Sequence, residues 1–116
     1  LGEDWAARVD LALALRELDV ASVPLNVLLP VPGTPLADQP PLPAAEVLRC
    51  VAVFRLLLPT AVLRLCGGRT SNLDPADQER LFAAGANGMM VGNYLTTAGR
   101  EVADDHAMLD RLGLEW

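Results

Sequence analysis

Apolar residues change their spacing several times along the 116-residue chain. Between residues 4 and 18 they recur at steps of about four, which predicts an amphipathic helix with one buried side. Three later segments repeat this helical spacing, and short aliphatic runs lie between them. The predicted helices cover residues 4–18, 43–58, 74–85 and 101–112, and the predicted strands cover residues 23–31, 61–66 and 88–92.

Helices and strands therefore alternate, which is typical of an α/β fold with a parallel sheet covered by helices. A (β/α)8 barrel of the TIM type has this alternation, but three strands cannot close one. We therefore expect one domain, residues 1–116, that forms part of such a barrel and is incomplete in this chain. The start at Leu1, without an initiator Met, favours the same interpretation.

Alternate residues of a strand face opposite sides, so each predicted strand has two faces. One face is uniformly apolar and suited to packing under helices. The other face carries polar or small residues, namely Ser22, Asn26, Arg64, Gly88 and Gly92. If these second faces line a barrel interior, Asn26 and Arg64 point into one shared cavity.

Two alternatives remain open for these polar residues. A buried guanidinium at Arg64 needs a negative partner, because burying an unpaired charge costs several kcal/mol. The simpler alternative is that Arg64 lies at a strand end and pairs with a surface carboxylate. Asn26 could bind a substrate, or its amide could bond a neighbouring backbone group.

Composition excludes several classes of protein. The net charge of −6 argues against nucleic-acid binding, which needs a basic face. No apolar run reaches the ~18 residues of a membrane span, and no secretion signal opens the chain. Cys50 and Cys66 fit no zinc or redox spacing, so we expect a reduced, cytoplasmic protein.

Other chemistry-bearing residues have simpler interpretations. The segment CGGRTSN could bind phosphate, but no Lys or helix start is expected close behind its glycine pair. We expect solvated positions for His106 and for the acidic residues of the last helix, and packing roles for the methionine pair and both tryptophans. These residues are Asp104, Asp105, Asp110, Met89, Met90, Trp5 and Trp116.

Three motifs carry a resemblance: SVPLNVLLPVPGTPLADQPPLP, LRLCGGR and AGANGMMVGNYLTT. Together they resemble the C-terminal half of the biotin synthase family, in the region called the biotin and thiamin synthesis-associated domain. The opening Leu1-Gly2-Glu3 resembles the end of that family's Gly-x-Gly-Glu turn. The resemblance implies radical S-adenosylmethionine chemistry in a (β/α)8 barrel. There a [4Fe-4S] cluster cleaves S-adenosylmethionine, and an auxiliary cluster, [2Fe-2S] in the best-known form, donates sulfur to dethiobiotin.

The resemblance also implies roles for three residues. Asn26 matches the asparagine that hydrogen-bonds dethiobiotin, and Arg64 matches an arginine ligand of the auxiliary cluster. Ser22 falls where the family has a serine near that cluster. Gly88 departs from the pattern, because some relatives have serine there.

The family's Cys-x3-Cys-x2-Cys motif and its auxiliary-cluster cysteines are absent from this sequence. We therefore expect this chain alone to hold no cluster and to be inactive. The expected partners are dethiobiotin and an N-terminal half of the barrel, and the complete enzyme could be a homodimer. Two alternatives stay open: a noncatalytic or partner-binding module, and part of a related radical enzyme with another substrate.

Overall fold

Helices and strands alternate in the computed structural model, which describes residues 1–93 and 99–116. The predicted helices and strands are all present, and one short helix, α3, was not predicted. The elements are α1 Trp5–Glu17, β1 Ser22–Leu25, α2 Ala44–Leu57, β2 Val62–Leu65, α3 Arg69–Asn72, α4 Pro75–Ala83, β3 Gly88–Met89 and α5 Val102–Arg111.

Two of the helices begin where the sequence places a capping carboxylate. Asp4 Oδ1 accepts a hydrogen bond from Ala7 N at 2.8 Å, and Asp74 Oδ1 accepts one from Asp77 N at 2.8 Å. Each cap satisfies a backbone N–H that the first helical turn leaves unpaired. At the other end of α4, Gly85 has φ +114°, the left-handed conformation expected of the residue that follows a helix.

The three strands form one parallel sheet in the order β1-β2-β3. Its register places Pro24, Arg64 and Gly88 in one row across the sheet. Within the described ranges, no helix is long and apolar enough to cross a membrane.

One face of the sheet is closed by helices. Val23 of β1 and Leu63 of β2 pack with Ala12 of α1 and Phe54 of α2, and Leu65 packs with residues of α2 and α4. Leu63 is fully buried. The predicted apolar face is therefore confirmed for the strand residues before the turn at Gly67.

The opposite face, which we call the bare face, carries Ser22, Pro24, Val62, Arg64 and Gly88. Pro24, Val62 and Arg64 are exposed, and Ser22 and Gly88 are half-buried. No second layer of described residues covers this face. The alternation of apolar and polar positions thus separates a closed side of the sheet from an open one.

The strands end earlier than the sequence predicts. Backbone bonds from Cys66 N to Leu25 O and from Val27 N to Gly67 O prolong the β1–β2 pairing slightly. Beyond Val27 the neighbouring chain turns into α3, so residues 28–31 lack a strand to pair with, and Pro30 lacks a backbone donor. Leu29, Val31, Met90 and Val91 were expected on strands but lie beyond the strand ends and are exposed.

Arg55 connects three segments at the end of the sheet where β2 and β3 begin. Its guanidinium donates to the carbonyl oxygens of Leu58, Ala61 and Gly85 at 2.8–2.9 Å. It also donates to Asn87 Oδ1, which in turn accepts a hydrogen bond from Leu63 N at 2.8 Å. These bonds fix the segments that lead into β2 and β3 relative to α2.

Gly68 generates a test of the turn between β2 and α3. Its φ is +75°, and a Cβ built on it would overlap the Val27 carbonyl oxygen. We expect Gly68→Ala to lower the free energy of unfolding by more than the roughly 1–3 kcal/mol that a left-handed φ alone costs a non-glycine residue. Urea unfolding measures the effect.

Gly113→Ala is the matched control, because Gly113 has φ +67° and an added Cβ would meet nothing within 4 Å. This variant should show the backbone cost alone. Equal losses in the two variants would contradict the close approach between Gly68 and Val27.

Candidate functional site

Asn26 lies just past the end of β1, not in the middle of a strand as the sequence suggested. Its Oδ1 accepts a hydrogen bond from Gly67 N at 2.8 Å, which bears out the alternative of a bond to neighbouring backbone. Because a backbone N–H can only donate, the side-chain atom that faces it must be the oxygen. The Nδ2 group makes no hydrogen bond to a described residue and is available as a donor.

Two larger cavities open beside Asn26, in addition to a smaller one of about 70 Å³. One of about 390 Å³ is bordered by residues of the β1 exit and the β2–α3 turn, including Leu29, Gly67 and Gly68. The other, of about 310 Å³, is bordered by Leu28 and by residues 39–43 of the proline-rich segment. The side chains around Asn26 are mostly apolar, so its amide donor is well placed to orient a ligand.

Arg64 is exposed on the bare face, so the expectation of a buried guanidinium does not hold within this chain. Its stem lies across Gly88, where an added Cβ would come within 2.8 Å of Arg64 Cγ. No described residue forms a hydrogen bond or ion pair with its guanidinium. The simpler alternative, a pairing of Arg64 with a surface carboxylate, is therefore not observed among residues 1–93 and 99–116.

Ser22 lies on the same bare face, two residues before the row of Pro24 and Arg64. Its Oγ donates a long hydrogen bond of 3.4 Å to Val62 O. Ser22 and Arg64 thus share one surface, as strand parity predicted, while Asn26 lies farther along at the turn with Gly67.

The cysteines do not provide a cluster site. Neither Cys50 nor Cys66 is in a disulfide. Burial raises the pKa of the Cys50 thiol, which favours the protonated form rather than the thiolate that binds iron. Among the described residues, no three His, Cys, Asp or Glu side chains form a group that could hold a metal. Since iron–sulfur clusters are held by thiolates, the residues present do not fit a complete cluster site.

A buried polar cluster was missed by sequence reasoning. The Arg69 guanidinium donates to Asp105 Oδ1 and Oδ2 at 3.0 and 2.7 Å, to Gln78 Oε1 at 2.7 Å and to Met90 O at 3.2 Å. Arg69 is 2% exposed and Asp105 is fully buried. We call this group of four the Arg69 cluster.

The expectation of a solvated Asp105 is therefore wrong. A signal for its burial was available in the sequence, because Met108 and Leu109 lie three and four residues later and share its side of a helix. Both are buried in α5 together with Asp105.

Other minor candidates also differ from expectation. His106 is half-buried and stacks on Trp116, with 3.5 Å between the ring centroids. The glycine pair is followed at once by α3, a helix start that was not anticipated. The Gly67 N–H, which a phosphate nest would use, already donates to Asn26.

Comparison with known proteins agrees with these motifs. The sequence profile of the Biotin and Thiamin Synthesis associated domain matches residues 24–115. The last letters of the third motif, residues 94–97, lie outside the described residues.

Curated relatives match almost the whole chain. Biotin synthases of Desulfovibrio desulfuricans, Nitratidesulfovibrio vulgaris (strain Miyazaki F) and Desulforudis audaxviator are 61%, 60% and 58% identical to it. These matches cover 98–99% of this chain but 31–36% of each relative. The chain thus spans about a third of the length of the curated relatives it matches.

Proposed function

Because this chain belongs to the Biotin and Thiamin Synthesis associated domain family, we propose that it is the C-terminal portion of a biotin-synthase-like enzyme. The reaction is the conversion of dethiobiotin to biotin by sulfur insertion, with radical S-adenosylmethionine chemistry, in the cytoplasm. The observation that carries the proposal is identity of 58–61% to biotin synthases over nearly the whole chain.

We propose further that the bare face lines the interior of a (β/α)8 barrel. Parallel strands joined by helices that cover the other face support this arrangement. The relatives contain about twice as much additional chain as is matched here, which is enough for the remaining strands and helices. Those elements would cover Val62 and Arg64, which are exposed in this part of the protein.

Asn26 is our candidate for binding dethiobiotin. Its Oδ1 is held by Gly67 N, so the amide presents Nδ2 as a donor beside two cavities. Dethiobiotin contains a cyclic urea whose carbonyl oxygen is a strong acceptor. A hydrogen bond between these groups would orient the urea ring among mostly apolar walls.

Arg64 is our candidate contact to the auxiliary iron–sulfur cluster, with Ser22 as a nearby hydrogen-bond donor. When bound, that cluster supplies the sulfur that enters the product. The guanidinium has no partner among the described residues, and once covered it would need a negative group beside it. Thiolate ligands, the [4Fe-4S] cluster and S-adenosylmethionine would be held by the rest of the enzyme.

Reconstitution with iron and sulfide under anaerobic conditions tests the proposed function directly. This chain is measured alone and after mixing with the N-terminal half of a biotin synthase. We expect no cluster absorption from the chain alone, and a cluster-bearing complex that binds dethiobiotin from the mixture. A chain that folds stably and never binds that half would favour the noncatalytic module. A complex that carries clusters but rejects dethiobiotin would favour a related enzyme with another substrate.

Asn26→Ala in the complete enzyme should weaken dethiobiotin binding by about 1–3 kcal/mol, because a polar group of the ligand loses its partner. Asn26→Asp is the matched variant: it keeps an oxygen that can accept from Gly67 N but lacks the Nδ2 donor. Calorimetric titration should show weakened binding in both variants. Normal affinity in the aspartate variant would contradict a donor role for Nδ2.

Arg64→Ala in the complete enzyme should alter the absorption and electron paramagnetic resonance spectra of the auxiliary cluster more than it alters dethiobiotin affinity. The physical reason is that the variant removes the cationic group next to the cluster. Arg16→Ala, an exposed position on α1, is the control and should change neither property. An unchanged cluster spectrum together with lost dethiobiotin affinity would refute the assignment.

A further inference from the structure

The Arg69 cluster is adjacent along the chain to the turn that holds Asn26. Arg69 is the first residue of α3 and follows Gly67 and Gly68 immediately. Gly67 N donates to Asn26 Oδ1 at 2.8 Å, and Gly67 O accepts from Val27 N at 2.9 Å. Any displacement of the backbone at Arg69 would therefore move both bonds that fix the β1 exit.

Apart from Arg69, the beginning of helix α3 is held by a local bond, in which Asn72 Nδ2 donates to Gly68 O at 2.8 Å. The helix contains four residues, too few to be stable on its own, and Arg69 is its one buried residue. Leu73, the next residue, is buried in the apolar core and anchors the far end. The near end, next to Gly67, is anchored through the Arg69 guanidinium.

The acceptors of that guanidinium come from two helices and from the residue that follows β3. Gln78 belongs to α4, Met90 directly follows β3, and Asp105 belongs to α5. Gln78 is itself fixed, because its Nε2 donates to Leu73 O at 3.0 Å. The two terminal nitrogens of the arginine fork match this set of acceptors, while the buried Nε has no partner among the described residues. The point charge of a lysine would not match the same acceptors.

We propose that Arg69 is a positioning residue for the substrate site, acting through Gly67 to hold the Asn26 amide in its binding orientation. The role of Asn26 in binding dethiobiotin rests on the proposed function above. The other part of the proposal, that Arg69 holds the turn at Gly67, depends only on the geometry of this chain.

The test compares two double variants of the complete enzyme. Arg69→Met with Asp105→Leu removes both members of the buried ion pair together, so neither is left facing an unpaired partner. Arg100, whose Nε lies 3.8 Å from Asp105 Oδ1, also loses that carboxylate but is 21% exposed and can be solvated. Arg111→Met with Glu79→Leu is the control; it removes an exposed ion pair of 2.8 Å that also joins α5 to α4. Hydrogen exchange is followed at the Gly67 amide and, as a reference for the whole sheet, at the Val62 amide, which donates to Ala21 O.

We expect the first double variant to speed Gly67 exchange by about tenfold or more while Val62 exchange stays as in the wild type, since only the turn opens. Dethiobiotin affinity should fall by a similar factor, and the control should change neither quantity. The single variant Arg69→Lys should also speed exchange at the Gly67 amide, because a lysine does not match the same set of acceptors.

Two results would overturn the inference. Unchanged Gly67 exchange would show that Arg69 does not hold the turn, and equal acceleration at Gly67 and Val62 would show only a general loss of stability. If the wild-type enzyme does not bind dethiobiotin, the proposed function fails, but the exchange data still decide whether Arg69 positions the turn.

Discussion

The ion pair between Arg69 and Asp105 is the interaction on which the end of the sheet next to Asn26 depends. Taking both charges out of water costs several kcal/mol per ion, so the pair is tolerable only with good geometry and additional hydrogen bonds. The structure provides two oxygens of one carboxylate, an amide oxygen from Gln78 and the carbonyl of Met90. Because these groups belong to different elements, the exits of β2 and β3 and the helix α5 are held together at one point.

The two faces of the sheet place very different demands on their side chains. On the helix-covered face, Leu63 and Leu65 are buried by neighbours within the described residues, so these side chains need no further chain to remove them from water. On the bare face the Arg64 guanidinium is exposed to solvent, so its charge carries no desolvation cost in this chain. A second layer would remove that solvent, and the guanidinium would then require an anionic neighbour. Arg64 thus needs a negative partner only when other residues cover the bare face, and the described residues of this chain do not cover it.

Sequence reasoning succeeded where the determining contacts are local. The helices α1, α2, α4 and α5 lie within the ranges that the spacing of apolar residues predicts, and strand parity correctly separates Leu63 from Arg64. It failed where a distant segment decides the outcome. The end of β1 depends on the turn that the neighbouring strand takes at Gly67, and the charge partner of the buried Asp105 is Arg69, 36 residues away. Neither partner can be identified from the spacing of residues along one element.

The orientation of the Asn26 side-chain amide is set by a contact with Gly67, 41 residues away in the sequence. The amide has one acceptor and one donor group, and the sequence leaves open which of them faces a ligand. The bond from the Gly67 N–H to the oxygen fixes the orientation of the amide, and the Nδ2 donor is the group without a partner among the described residues. A ligand that pairs with Nδ2 therefore presents an acceptor, because a donor at the same position would leave two N–H groups facing each other without a bond. The polarity of this candidate site is thus set by the β2–α3 turn, and through that turn by the residues that hold α3.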